Sequence, residues 1–268
     1  MSLVMITQKP EFAERIVVKV GSSSLYGPDG PRLEVFDSIA EQIADLRQTG
    51  TESALVTSGA IAFGRAALSR TSKIESVAIK QTLAAVGQPI LMAHWQNAFQ
   101  KKGYDVGQVL VTNQELFGIL GGSESPLSDM LDTMFGLNIV PIVNENDTVA
   151  TEEITQGDND KLSAYVGKII GASELYLLGT ASALYQDYPT NKIRIPRVSF
   201  GDIDSIIDLC HPTNDPVATG GMLTKIEAVN IANSGQGQNM DVYVASAFEQ
   251  SSILRARLRE IGTLFTRK

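Results

Sequence analysis

The sequence holds one cysteine, Cys210, and two histidines, His94 and His211. No intrachain disulfide can form, and a reducing, cytoplasmic compartment is the simplest inference. A zinc centre is disfavoured on the same count. His94 falls in a helical pattern beside Trp95, and His211 precedes Pro212 in a loop; both read as packing or surface residues. No block of lysine or arginine offsets the 30 acidic against 22 basic side chains, a net charge of -8. That balance argues against nucleic acid or an anionic membrane as a partner. No run approaches the ~18 apolar residues needed to cross a bilayer, and the first residues lack a secretory apolar core. There is no Walker A loop, no internal repeat and no low-complexity linker.

What is present is an alternation of strand and helix patterns. The 268 residues suffice for one large α/β domain over 15–268, with Met1 to Glu14 as a loose leader. Strands are expected at Arg15 to Val20, Ser53 to Thr57, Val106 to Thr112, Val140 to Val143, Glu174 to Leu178 and Asp241 to Ala245, the last clear one. Helices are expected at Val35 to Gln48, Ile61 to Leu68, Met130 to Leu137, from Leu162 to Ile170, from Gly221 to about Ser234, and at Ser251 to Glu260. The helical region Ile74 to Lys101 should break near Gly87-Gln88-Pro89, because proline cannot continue the hydrogen-bond ladder. Gly118 to Ser128 and Gly179 to Pro189 read as loops. Repetition of strand, glycine turn and helix is the α/β signature.

The stretch from Val140 to Ala164 organises the rest. Asn144-Glu145-Asn146-Asp147 should leave the sheet at a strand end, where open α/β sheets bind ligands. Asp158, Asn159 or Asp160 can cap the helix that follows. Either polar cluster alone could be an ordinary loop; the two together favour a site. Three glycine turns lie at equivalent places. Gly21-Ser22-Ser23-Ser24 offers backbone N–H groups as phosphate-holding loops do, and Lys19 before it requires an anionic partner. Ser58-Gly59-Ala60 repeats the arrangement. Gly220-Gly221 opens a helix that places Lys225 in its first turns, with a glycine hinge and a solvated lysine as the alternative.

Two lysines, carboxylates and glycine turns are what phosphoryl transfer needs. Its transition state spreads negative charge, so catalysis rests on positioning and on cations, here Lys19, Lys225 and a magnesium ion, with Asp160 holding the lysines. A carboxylate acceptor, with a pKa of about 4, is ionised at neutral pH and needs no general base, which suits a chain so poor in histidine. The acidic clusters would suit the ammonium of an amino acid.

These residues resemble the amino-acid kinases, and within them the glutamate-phosphorylating branch, over nearly the whole chain. The motifs are Val18-Lys19-Val20-Gly21-Ser22-Ser23, Thr57-Ser58-Gly59-Ala60-Ile61, Ala84-Ala85-Val86-Gly87-Gln88, Val140 to Val149, Gly157-Asp158-Asn159-Asp160 with Leu162-Ser163-Ala164, and Thr219 to Lys225. The resemblance implies a three-layer open α/β sandwich with a mainly parallel sheet. Its implied activity is transfer of phosphoryl from ATP, with Mg2+, to the side-chain carboxylate of L-glutamate, the first step of proline biosynthesis. It further implies catalytic roles for Lys19, Lys225 and Asp160, and glutamate binding by Ser58, Asp147 and Asn159. Nucleotide contacts would come from Lys19, Gly21, Ser22, Gly179, Thr180, Thr219, Gly220, Gly221, Met222, Leu223, Thr224 and Lys225. Feedback by proline, hand-over of product to glutamyl phosphate reductase and a homo-oligomer, dimer or tetramer, belong to the same expectation. Many relatives continue into a small RNA-binding-like domain that this sequence does not include. The alternatives are a kinase for another small acidic amino acid, or a catalytically weakened glutamate- or proline-binding regulator.

One departure yields a test. Where the family usually has Thr-Asp and then Gly-Leu-Tyr, this chain has Gly179-Thr180 and Ala183-Leu184-Tyr185, so a nucleotide-side carboxylate is replaced by a weaker hydroxyl acceptor. Thr180→Asp is expected to tighten ATP, and raise its preference over GTP, by on the order of 1 kcal/mol with little change in the KM for glutamate. Titration of both nucleotides against both proteins checks this. Equal affinities would mean that Asp187 or a backbone carbonyl already fills the role.

Overall fold

The computed structural model describes residues 14–68, 76–112, 126–149, 158–186, 193–207, 221–234 and 239–267. Eight strands form one sheet: β1 (Arg15–Val20), β2 (Glu52–Thr57), β3 (Val106–Val111), β4 (Val140–Glu145), β5 (Glu174–Gly179), β6 (Arg197–Ser199), β7 (Asp241–Ser246) and β8 (Thr263–Thr266). Their order across the sheet is β6-β8-β7-β5-β1-β2-β4-β3. Every neighbouring pair is parallel except β7 with β8. The central strands are nearly continuous apolar runs, as strands covered on both faces must be.

The helices are α1 (Ser22–Leu25), α2 (Leu33–Gln48), α3 (Ala60–Ala67), α4 (Val77–Gln100), α5 (Pro126–Gly136), α6 (Asp158–Ile170), α7 (Ile203–Ile207), α8 (Met222–Asn233) and α9 (Ser252–Arg257). One face of the sheet, with Val17, Val56, Val143, Leu177 and Val244, packs against α5, α6 and α8. The other, with Val18, Leu55, Ile142, Tyr176 and Tyr243, packs against α2, α4 and α9. Three layers result, as expected for the α/β sandwich. Trp95, Phe36 and Phe99 are buried in the second layer, and each large apolar side chain so placed contributes about 1.5–3 kcal/mol. Alternation along β1 puts Lys19 on the same face as Val17, toward α6 and α8.

The two edges of the sheet differ in character. At the amino ends of the strands Arg15 pairs with Glu52 at 2.7 Å and with Asp132 at 2.7 Å, and donates to the Ile170 carbonyl. Arg257 joins Glu174 and Glu14 nearby, so Glu14 is docked to the domain rather than loose. This edge is a clamp of ion pairs, and the carboxyl edge carries the glycine turns.

Several expectations are corrected. The helix α4 runs unbroken through Pro89 and is capped at its start by Ser76, whose Oγ accepts from the Ile79 amide. Gly87 is there for a different reason: a Cβ on it would lie 1.8 Å from the Ala60 carbonyl oxygen, and one on Gly64 would lie 1.9 Å from that of Leu83. The helices α3 and α4 therefore cross backbone against backbone. The segment Gly21 to Ser24 is mostly a single helical turn rather than an open loop. Strand β4 continues through Asn144 to Glu145, because Glu145 still pairs with Val111. Asn159 and Asp160 lie in the first turn of α6 and are occupied with tertiary partners rather than capping it. Residues 126–128 belong to α5, while 113–125 lie outside the described residues. Tyr185 and Gln186 pair with Ile193 and Arg194 in a short hairpin; 187–189 lie outside the described residues.

Asp241–Ser246 is not the last strand. β8 follows, with Gly262 at φ 73° so close that a Cβ there would meet the Val244 carbonyl at 2.5 Å. Thr263 accepts from the Leu184 amide at 2.9 Å and donates to the Ile195 carbonyl at 2.6 Å, tying β8 to the hairpin.

The helix crossing is testable. Gly87→Ala pushes a methyl into backbone that has no side chain to move, and is expected to cost about 1–3 kcal/mol or more in urea denaturation. Gly136→Ala, where a Cβ meets nothing within 4 Å, serves as the control and is expected to be neutral or stabilising.

Candidate active site

At the carboxyl edge the loops are stitched to one another by their backbones. The Gly21 amide donates to the Leu178 carbonyl at 3.1 Å, Ser58 to Val20 at 3.2 Å, and Ala247 to Gly179 at 2.8 Å. The ends of β1, β2, β5 and β7 thus form one continuous rim. Arg32 bolts the turn after β1 in place: its guanidinium donates to the Ser23 carbonyl at 2.6 Å and stacks over the Phe248 ring at 4.8 Å. Nothing in the sequence marked Arg32, because its partners, Ser23 and Phe248, lie more than two hundred positions apart.

Below the rim sits a buried charge cluster. Asp160, with no exposure, lies 2.5 Å from Lys19 Nζ through Oδ1 and 3.0 Å from Lys225 Nζ through Oδ2. Thr224 Oγ1 lies 2.8 Å from Asp160 Oδ2 and 2.9 Å from the Gly221 carbonyl, one hydroxyl proton serving both acceptors. Three elements converge here: the end of β1 and the first turns of α6 and α8. Burial alone would raise the Asp160 carboxyl, but the charges of Lys19 and then Lys225, with their hydrogen bonds, hold it well below the usual carboxylate range. Burial lowers the Lys19 ammonium, which Asp160 opposes and Lys225 reinforces. Two ammonium groups and one carboxylate leave a surplus positive charge that an anion would neutralise.

Gly21 and Gly179 keep the approach to this cluster clear. A Cβ on Gly21 would lie 3.8 Å from Lys19 Nζ, and one on Gly179 would lie 3.9 Å from Lys225 Nζ, so a larger side chain at either place would project across an ammonium. The amino end of α8 faces the same space, with no acidic side chain in its first turn to oppose an anion. Gly221 precedes that turn, Met222 packs against the core, and Leu223 is half exposed. Ser22 opens α1, and Thr180 is exposed just beyond β5. Thr219 and Gly220 lie outside the described residues.

Beside the charges lies a chain of amides. Asn159 Nδ2 is 2.9 Å from the Thr57 carbonyl, 2.8 Å from Ser58 Oγ and 2.9 Å from Asn144 Oδ1. Asn144 Nδ2 donates to Gln88 Oε1 at 2.8 Å, and Gln88 Nε2 donates to Gln108 Oε1 at 3.0 Å. Trp95 supports the far side by donating to Thr57 Oγ1 at 2.9 Å. The two polar clusters of the sequence do meet, through Asn144 and Asn159. Asp147 stands half-buried in the turn after β4. Ser58, accepting from Asn159, keeps its own proton for another acceptor, and Asn159 Oδ1 has no hydrogen-bond partner among the described residues. The site therefore offers a donor and acceptors beside a pair of cations. Gln88 was legible only as part of a motif, since its role depends on contacts across 20 and 56 positions.

His94 packs against the rings of Phe36 and Phe63. Among the described residues no group of three or more His, Cys, Asp or Glu could hold a metal ion, and no helix is long and apolar enough to cross a membrane.

Asp160→Asn would leave two buried ammonium groups without their counter-charge. A loss of about 3–5 kcal/mol is expected at neutral pH by urea denaturation. Because the folded carboxyl is held below its unfolded value, its contribution is present above about pH 4 and is lost as pH falls further. The gap between the two proteins should narrow over that acid range.

The sequence pattern of the amino acid kinase family matches residues 14–246. A glutamate 5-kinase of Cutibacterium acnes is 39% identical over 254 residues, covering 94% of this chain and 63% of that relative. One from Thermus thermophilus is 42% identical over 225 residues, covering 82% of this chain and 59% of the relative. The chain thus spans less than two thirds of the length of these two. A glutamate 5-kinase of Symbiobacterium thermophilum is 37% identical over 259 residues, covering 95% of this chain and 97% of its own length. On the pattern match and these similarities, the chain belongs to the amino acid kinase family.

Proposed function

We propose that this protein transfers the γ-phosphoryl group of ATP to the side-chain carboxylate of L-glutamate, forming an acyl phosphate. The observation that carries the reading is Asp160 clamped between Lys19 and Lys225 at the edge of the glycine turns. A glutamate carboxylate oxygen attacks the γ-phosphorus as the bond to the β–γ bridging oxygen breaks, and the electron pair leaves with ADP. No proton has to move, so the reaction calls for no general base. Lys19 and Lys225 meet the charge that grows on the phosphoryl and bridging oxygens, and Asp160 holds the two ammoniums at fixed positions for it.

The amino acid is placed by the adjoining amide chain. Ser58 donates to a substrate carboxylate, while Asn159 Oδ1 and the Asp147 carboxylate accept from its ammonium. The nucleotide lies along the rim from Gly21 and Ser22 to Gly179 and Thr180, with its phosphates toward the amino end of α8 at Gly221 to Lys225. Magnesium enters with ATP, held mainly by the phosphates, as small hard cations are in such sites. A mixed acyl phosphate is readily hydrolysed, which favours a reductase that takes it over directly. Inhibition by proline and assembly into a homo-oligomer are part of the same reading.

ATP consumption over a panel of carboxylic amino acids, with hydroxylamine trapping of the acyl phosphate, tests the proposal. Turnover confined to L-glutamate is expected. Turnover with another acid, or with none, would overturn it. Lys225→Ala is expected to lower kcat about a hundredfold or more while glutamate binding changes little, because the lost cation acts on charge that develops in the transition state. A near-normal kcat would remove Lys225 from that role.

A further inference from the structure

We infer that Gln88, through the chain Gln108–Gln88–Asn144–Asn159, is a positioning residue for the amino-acid substrate; this rests on the function proposed above. Gln88 is buried in α4, and its side chain reaches Asn144 on β4. The direction of every amide in the chain is forced by groups that cannot reverse. The Glu145 backbone amide can only donate, and it points at Asn144 from 2.9 Å, so Oδ1 of Asn144 must face it. Nδ2 of Asn144 then has to find an acceptor, which Gln88 Oε1 supplies. Gln88 Nε2 is left to donate, and Gln108 Oε1 accepts it.

At the other end the Thr57 carbonyl can only accept, and Asn144 Oδ1 also accepts, so Asn159 must turn its Nδ2 toward both. Its oxygen is thereby fixed as the free acceptor of the pair. An acceptor held in that sense suits an ammonium group and repels a carboxylate. Gln88 thus holds Asn144 at the place from which Asn144 Oδ1 meets Asn159, and so helps to position, two side chains away, the acceptor that an ammonium group would meet. It touches neither substrate nor phosphate, and its influence passes through Asn144. The close crossing at Gly87 sets where the neighbouring Gln88 stands, since α4 is located there by backbone contact with α3.

Removing the acceptor should leave Asn144 Nδ2 in a buried space with no partner, so that Asn144 tilts and Asn159 loses one of the acceptors that place it. Gln88→Met, close in shape but without polar atoms, is expected to raise the KM for L-glutamate tenfold or more, with kcat and the KM for ATP within threefold of wild type. Gln88→Glu keeps an acceptor for Asn144, and Gln108 can turn its amide to donate, so its glutamate KM should stay within threefold. A merely structural role would show instead as a lowered Tm in both variants without this split. The inference is overturned if the Gln88→Met KM for glutamate stays within threefold of wild type, or if both variants raise it equally. Should Gln88→Met fail to fold, Gln108→Ala at the exposed edge interrupts the same chain, and a two- to fourfold rise is expected; no rise would overturn the inference. A wild-type enzyme that never turns over glutamate overturns the proposed function and this inference with it. An active wild type with an unaltered Gln88→Met overturns the inference alone.

Discussion

The carboxylate of Asp160 between two ammonium groups is the interaction on which the rest of the site depends. Each lysine alone would be expensive in this position, and desolvation already lowers Lys19. One aspartate from the first turn of α6 makes both tolerable, and it does so incompletely. The remaining charge is what would draw an anion to the cluster. The arrangement needs β1, α6 and α8 to end at one point, and the parallel order β7-β5-β1-β2 with helices on the same face achieves this.

A second division follows the axis of the strands. The amino ends are closed by Arg15 and Arg257 with their carboxylate partners, while the carboxyl ends are left to glycine turns and backbone donors. The ion-pair clamp and the candidate site are thus separated by the length of a strand. Changes at the clamp should act on stability with little direct effect on the reacting groups.

Much of this was legible in the sequence where a residue contradicted its local pattern. A lysine at the end of RIVVKV cannot be explained by a strand alone, and the polar clusters on either side of residue 150 interrupt apolar elements without being breakers. The central strands were legible because parallel strands covered on both faces read as unbroken apolar runs. The misses have equally specific causes. Pro89 suggested a break, yet a proline removes only one hydrogen bond and the buried face of Leu91, Trp95 and Phe99 carries the helix on past it. β6 and β8 are only three and four residues long, too short for a period to register. Arg32 carries no local signal and Gln88 only that of the motif it closes, since the partners of each are brought near by the fold.

The strand β8 lies between β7 and β6, and it runs against β7. The family pattern ends at residue 246, the last residue of β7, but the sheet does not. A chain cut at that boundary would bare the N–H and C=O groups of β7 along a strand whose Val242 and Val244 are wholly buried. Such an edge is a template for pairing with another molecule. The segment after Gly262 covers that edge, so the sheet is completed by residues that lie beyond the end of the family pattern.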